Sequence, residues 1–136
     1  MSTNQQVIDK ALSALGVIES SDSANATDSA DALTDLNNMM AAWRVSSKDL
    51  NWFSQDDLTA TIPIPDWAED AVIMNLAVKC STTFRSPVTP DVGRQAAEGA
   101  NLVTRTLINL NLEQADMSHL PTGQDRYNRA NINTDT

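Results

Sequence analysis

Apolar residues recur at helical spacing in four stretches of the chain. In the first stretch they lie three or four residues apart, which places them on one face of a helix. Its members are Val7, Ile8, Ala11, Leu12 and Leu15. Ser2 or Thr3 can cap the start of this helix, and Gly16 stands where a helix would end.

The second and third helices are separated by a segment with a different pattern. The second is predicted to begin near Thr27, whose hydroxyl can cap it. Its apolar stripe consists of Leu33, Leu36, Met40 and Trp43. The third is predicted to open with Asp66 as its cap and to end before Pro87. From Ala71 to Cys80 it is apolar almost all round, which is typical of a central helix contacted on several sides.

A fourth helix is predicted to start at Pro90, with Thr89 as its cap. Its stripe consists of Val92, Ala96, Gly99, Val103, Leu107 and Leu110. Small residues between Ala96 and Ala100 would let a second backbone approach closely. The periodicity ends at Leu112, so the chain is predicted to be all-α, with a four-helix core and an extended C-terminal tail.

The segment between the second and third helices, about residues 48–65, is predicted to be an extended arm or a short hairpin. Trp52 and Phe53 are adjacent in it, and adjacent side chains of an extended segment point to opposite sides. One of the two should therefore face outward and contact a partner, such as a neighbouring subunit. The other tryptophans, Trp43 and Trp67, are expected in the core.

Length and composition fit one domain with an appendage. The 136 residues are 41% hydrophobic but only 4% aromatic, which favours packed helices over a β-sandwich. Residues 1–112 are predicted to form the helical domain. Residues 113–136 are polar and cannot bury themselves unaided, so they are predicted to be an extended tail that binds a partner.

The net charge argues against tight binding of duplex DNA. Eighteen acidic residues oppose nine lysines and arginines, for a formal net charge of −9, and no segment forms a basic stripe. An acidic surface would instead let DNA pass without holding it. No apolar stretch approaches the roughly 18 residues that span a bilayer, and no leader pattern opens the chain. We expect a protein made and kept in solution, without contact to a membrane.

Standard catalytic and cofactor-binding patterns are missing. His119 is the only histidine, and Cys80, the only cysteine, lies in an apolar run where a buried inert thiol is expected. The four glycines are too scattered to cradle a phosphate. We therefore predict no catalytic residues, no cofactor and no metal. The abundant carboxylates between Asp56 and Asp70 leave one alternative open, an acid–base pair of a small hydrolase.

Several local motifs occur in a fixed order along the chain. They are ALGV at residues 14–17, DLNNMMAAW at residues 35–43, the helix at residues 71–80 with its NLA centre, and LPTG at residues 120–123. In their order and spacing they resemble the head-to-tail adaptors of short-tailed bacteriophages. Members of this family are also called tail accessory factors or packaged-DNA stabilisation proteins.

The resemblance implies a structural virion protein at the head–tail junction, synthesised in the host cytoplasm. It implies a ring of twelve copies that docks under the portal, prolongs the DNA channel, helps retain the packaged genome and gives the tail nozzle or tail-tube protein a platform. DNA would pass through without sequence-specific binding. The residues that the resemblance assigns to portal contact are Leu120, Pro121, Thr122, Gly123, Tyr127, Asn128 and Asn131.

Three alternatives stay open at this point. A head-completion connector of a long-tailed phage shares the four-helix plan and differs in its next partner. A small cell-wall hydrolase would need one indispensable carboxylate pair within residues 56–70. An unrelated cellular helical binding module would lack portal and terminase genes beside its own.

Overall fold

The computed structural model describes the backbone of residues 1–119 and the side chains of residues 1–113. Its four helices are α1 (Asn4–Leu15), α2 (Ala26–Arg44), α3 (Asp66–Thr83) and α4 (Pro90–His119). Within residues 1–119 there is no strand, only an isolated antiparallel bridge between Thr3 and Thr61. The predicted all-α fold is confirmed. Residues 1–105 form one compact unit, whose boundary falls within α4.

Both predicted ends of α1 are correct. The Thr3 hydroxyl oxygen accepts the backbone N–H of Gln6 at 3.2 Å, and the Gln6 side chain accepts the Thr3 N–H at 2.9 Å. This reciprocal capping box satisfies two donors that the first turn leaves free. At the other end Gly16 has a φ of 85°, a left-handed conformation that a residue without Cβ adopts at little cost.

Two predicted caps are wrong. The cap of α2 is Asn25, not Thr27. The side-chain oxygen Oδ1 of Asn25 accepts the N–H of Asp28 at 2.8 Å, and the helix begins at Ala26. The cap position of α3 is occupied by Pro65, which offers no side-chain hydrogen bond. Asp66 lies inside the first turn instead, where the positive end of the helix dipole favours its charge.

The core is formed where α1, α2 and α3 pack on one another, with α3 in contact with both other helices. The predicted apolar stripes of α1 and α2 are buried in it, which confirms both. Among the largest fully buried side chains are Ile8, Leu12, Leu36, Met40, Val72 and Leu76. α3 buries residues on several of its sides, as the nearly continuous apolar pattern of residues 71–80 predicts.

α4 begins as predicted and continues further. The Thr89 hydroxyl oxygen accepts the N–H of Val92 at 3.3 Å, so Thr89 is the cap. The helix runs through His119, seven residues beyond the predicted end of periodicity at Leu112. Its predicted stripe is buried at Ala96 and Val103 but exposed at Leu110. The division of the chain into residues 1–112 and 113–136 stays a prediction. None of the described helices is long and apolar enough to cross a membrane.

The segment between α2 and α3 forms no hairpin within the described chain and lies against the start of α1. The N–H groups of Asn4 and Gln5 donate to the carbonyls of Ala60 and Leu58, each at 2.9 Å, and the Ile62 N–H donates to the Ser2 carbonyl at 2.9 Å. The apolar side chains that this segment buries are Leu50, Trp52, Ile62 and Ile64. Residues 45–65, called the arm below, therefore contribute these four side chains to the core of their own chain.

Cys80 is buried, as predicted, and we expect it to be unreactive. Burial raises the pKa of its thiol to about 12, and the nearby Asp35 carboxylate acts in the same direction. Because the thiolate is the reactive form, only about one thiol in ten thousand would be ionised at pH 8. Ellman's reagent should therefore release no colour from the native protein and one equivalent from the urea-unfolded protein. Rapid release from the native protein would contradict this burial.

Candidate interaction surfaces

One side chain of α2, Asn37, makes three hydrogen bonds to the arm. Asn37 donates from Nδ2 to the Gln55 carbonyl at 2.8 Å. Its Oδ1 accepts the Gln55 N–H at 2.9 Å and the indole N–H of Trp52 at 3.2 Å. Three hydrogen bonds from one amide satisfy both backbone groups of Gln55 and hold the indole against α2. The conformation of residues 52–55 thus depends on a residue 15 to 18 positions away in the sequence.

A second amide fastens the arm to the start of α1. Asn4 is fully buried, and its Nδ2 donates to Gln55 Oε1 and to the Asp57 carbonyl, both at 2.9 Å. The Asn4 Oδ1 has no hydrogen-bond partner among the described residues. Gln55 is therefore held on two sides, by α1 through its side chain and by α2 through its backbone.

The two neighbouring aromatic residues of the arm point to opposite sides, as the alternation predicts. Trp52 is only 4% exposed, whereas Phe53 is 63% exposed. Of the two, Phe53 alone offers its ring to a partner. The interface role predicted for the pair stays a prediction.

Phe53 lies beside a shallow groove between α2 and the arm, with a volume of about 330 Å³. The Arg44 Nη1 donates to the Trp52 carbonyl at 3.1 Å, which holds the guanidinium next to the arm. We call this surface the Phe53 patch. It consists of Asn37, Asn38, Ala41, Arg44, Trp52, Phe53 and Ser54.

A second groove runs between α3 and α4, with a volume of about 420 Å³. The core position predicted for Trp67 is wrong, because this side chain is 38% exposed and lines the groove. Leu102, 42% exposed, lines it from α4. We call this surface the α3–α4 groove. Its lining residues are Trp67, Asp70, Ala71, Gln95, Glu98, Gly99, Leu102 and Arg105.

The two helices that wall this groove touch at small residues. A Cβ placed on Gly99 would lie 2.8 Å from Ala71 Cβ and 2.9 Å from Ala71 Cα, so the backbones are in direct contact. Beside this contact Asn75 donates from Nδ2 to the Ala96 carbonyl at 2.9 Å. The small residues of α4 therefore admit a second backbone, as predicted, and that backbone is α3 of the same chain.

Two of the carboxylates considered for acid–base chemistry, Asp57 and Glu69, have structural partners. The Thr59 hydroxyl and N–H donate to Asp57 Oδ1 at 2.7 Å and 2.9 Å, and they lower the pKa of this carboxyl. A general acid needs the opposite shift, since it must hold a proton at neutral pH. Glu69 accepts the Ser2 hydroxyl at 2.7 Å and faces Lys10 Nζ at 3.9 Å, which ties α3 to the N-terminal residues and to α1.

The remaining predicted site residues lie beyond the described part of the chain. These are the residues assigned to portal contact, Leu120, Pro121, Thr122, Gly123, Tyr127, Asn128 and Asn131. Among the side chains that the structure describes, no group of three or more His, Cys, Asp or Glu residues could hold a metal ion.

Sequence reasoning identified Phe53 but missed the α3–α4 groove. Leu102 was the available signal, because it is a large apolar residue that falls outside the predicted stripe of α4. An apolar residue away from the buried face of an amphipathic helix indicates a second contact surface.

Comparison with known proteins identifies the family. No curated protein matches the chain. A family model described as P22 tail accessory factor matches residues 1–135, which is nearly the whole chain. The predicted resemblance is confirmed, and the chain belongs to the P22 tail accessory factor family, whose role in the bacteriophage virion is structural.

Proposed function

We propose that this tail accessory factor works as one subunit of a ring that docks under the portal of a short-tailed phage. The ring contains twelve copies, extends the DNA channel, helps retain the packaged genome and carries the tail nozzle or tail-tube protein. It stands at the head–tail junction of the virion. The match of the family model to residues 1–135 carries this proposal.

The charge supports a passage for DNA rather than a binding site. A protein that neutralises phosphates needs clustered lysines and arginines. Here the formal net charge is −9, with twice as many acidic as basic residues. A channel built from such subunits repels the polyanion at its wall, so DNA slides through without being held. Sequence-specific contact with DNA forms no part of the proposal.

The C-terminal residues bind the portal. We assign this contact to residues 120–123 together with Tyr127, Asn128 and Asn131. A polar segment that becomes ordered on a partner has a high entropic cost, so a single contact is weak. Twelve such contacts made by one closed ring act together, because each bound segment raises the effective concentration of the others. The assembly is therefore driven by docking on the portal.

Removing the residues beyond α4 is expected to abolish portal binding without unfolding the helical core. The full chain and a variant ending at His119 would each be mixed with the cognate portal ring, and the masses of the complexes measured by native mass spectrometry. The full chain should add twelve copies per portal, and the shortened chain should add none. As the control, the two chains should have equal midpoint temperatures of thermal unfolding when monitored by circular dichroism.

The same experiment can reject the proposal. A full chain that leaves the mass of the portal ring unchanged would show that this protein is not its adaptor. A shortened chain that still adds in ring stoichiometry would leave the adaptor role intact but remove residues 120–136 from the portal contact.

A further inference from the structure

A closed ring of identical subunits places a geometric demand on each copy. Heterologous contacts join two different surfaces of neighbouring subunits, whereas a two-fold contact joins a surface to itself and stops at a dimer. A ring subunit therefore needs two unlike and mutually complementary surfaces. Residues 1–105 carry two such candidates, the Phe53 patch and the α3–α4 groove, which share no lining residue.

We propose that the Phe53 patch of one copy docks into the α3–α4 groove of the next copy around the ring. This inference rests on the proposed ring and names the surfaces that would close it. The occupant of the groove is a second copy of this chain, with the Phe53 ring seated between Trp67 and Leu102.

An exposed aromatic ring on one surface has apolar side chains to pack against on the other. Phe53 projects from an arm whose backbone is fixed by Asn37, so its ring is presented without further ordering. The groove has an exposed apolar side chain on each wall, Trp67 on α3 and Leu102 on α4. An aromatic ring from a preorganised segment that enters an apolar groove is typical of the central contact of an interface.

The charges match as well. Arg44 of the Phe53 patch uses Nη1 on the Trp52 carbonyl, and its guanidinium has further donors to offer. The charged side chains that line the groove are two acids, Asp70 and Glu98, and one base, Arg105. Glu98 is already paired with Arg94 at 3.3 Å, which leaves Asp70 of α3 as the available acid. Asp70 makes no hydrogen bond or ion pair with any described residue and is exposed at the groove. Arg44 of one copy and Asp70 of the next are therefore the complementary pair at the rim.

Cysteine cross-linking of the portal-bound full chain tests the contact. Ser54→Cys and Gln95→Cys, which lie on the two surfaces but leave Phe53, Trp67 and Leu102 in place, would be combined in one chain and treated with a short bismaleimide. Docking of the Phe53 patch into the groove of the next copy predicts a ladder of covalent oligomers that extends to the closed ring. Each single variant should stay monomeric on a denaturing gel, and the unaltered chain should do so too, because Cys80 is buried.

Other products would overturn the inference. Covalent dimers from a single variant would indicate a two-fold contact, and a link within one chain or to the portal would place a different occupant in the groove. A ring of normal stoichiometry without any ladder would reject this interface while the adaptor role stands. A full chain that does not join the portal at all would remove the ring and this inference with it.

Charge reversal provides a second measurement with variants of exposed side chains. Arg44→Glu and Asp70→Arg should each weaken assembly on the portal by at least about tenfold, since each places like charges together at the rim. The double variant should recover most of the loss. Asp66→Arg is the matched control, because Asp66 is exposed one turn earlier on α3 and does not line the groove. A double variant no better than the singles would contradict the pairing.

Discussion

Replacing Asn37 by alanine is expected to lower the free energy of unfolding by about 2–4 kcal/mol. The substitution removes three hydrogen bonds at once, to the Gln55 N–H, the Gln55 carbonyl and the Trp52 indole N–H. Trp52 is nearly fully buried and Gln55 is buried too, so the groups left behind have little access to water. A buried polar group without a partner costs about 1–3 kcal/mol, more than the net value of the bond it lost.

The measurement is urea unfolding of the full chain, followed by circular dichroism at a helical wavelength. Asn38→Ala is the matched control, because Asn38 is the next residue of α2, is exposed and forms no side-chain hydrogen bond with a described residue. Its unfolding free energy should change by less than about 0.5 kcal/mol. Equal effects of the two substitutions would mean that the arm is not held by Asn37.

A second observable separates release of the arm from general loss of stability. The backbone N–H of Gln55 donates a hydrogen bond to the Asn37 side chain, so its hydrogen exchange should become fast in Asn37→Ala. Asn37 forms its side-chain hydrogen bonds with the arm and not with α1, so amide protons in the middle of α1 should keep their relative protection against exchange. The same variant should present Phe53 less rigidly, so it should also assemble less well on the portal if the proposed subunit contact is correct.

The helices could be predicted because their causes are local. Periodic apolar positions identified α1, α2 and α4, and the nearly continuous apolar run of residues 71–80 identified α3. Thr3, Gly16 and Thr89 act at the helix ends where the sequence places them. The failed caps have local causes as well. Asn25 and Thr27 are both good N-terminal caps and lie two residues apart, so the sequence alone does not decide at which of them the helix begins.

The arm and the groove were less predictable because they depend on tertiary contacts. Alternation was enough to place Trp52 and Phe53 on opposite sides, yet nothing near Asn37 in the sequence indicates that it binds an arm beyond the end of its own helix. Trp67 was expected in the core as a large apolar residue. Its exposure follows from how α3 meets α4, which a stripe on one helix does not reveal.

Replacing Gly99 by alanine is expected to destabilise the protein by about 2 kcal/mol, although alanine is the better helix former. In an open helix the substitution would add about 1 kcal/mol of stability. Here the new methyl group would lie 2.8 Å from Ala71 Cβ and 2.9 Å from Ala71 Cα. The obstructing atoms include backbone, so α3 and α4 must move apart, and the hydrogen bond from Asn75 to the Ala96 carbonyl would stretch with them.

Gly93→Ala is the matched control on the same helix. A Cβ at Gly93 meets only Val88 Cγ1, at 3.7 Å, which is an ordinary contact. The free energy of unfolding of this variant should therefore rise by about 0.5–1 kcal/mol because of the higher helix propensity of alanine. The two substitutions are chemically identical. Changes of opposite sign in the free energy of unfolding, measured with urea, would therefore identify the contact with Ala71 as the cause. A stabilised Gly99→Ala variant would show that the two backbones are not this close.

A double variant would locate the contact further. Adding Ala71→Gly to Gly99→Ala removes the Cβ at 2.8 Å but leaves the Ala71 Cα at 2.9 Å, so the rescue should be partial. The new glycine in α3 also costs about 1 kcal/mol of helix propensity. A coupling energy that favours the double variant, measured against both single variants, would show that the two residues touch. Independent effects would place the strain of Gly99→Ala elsewhere on α4.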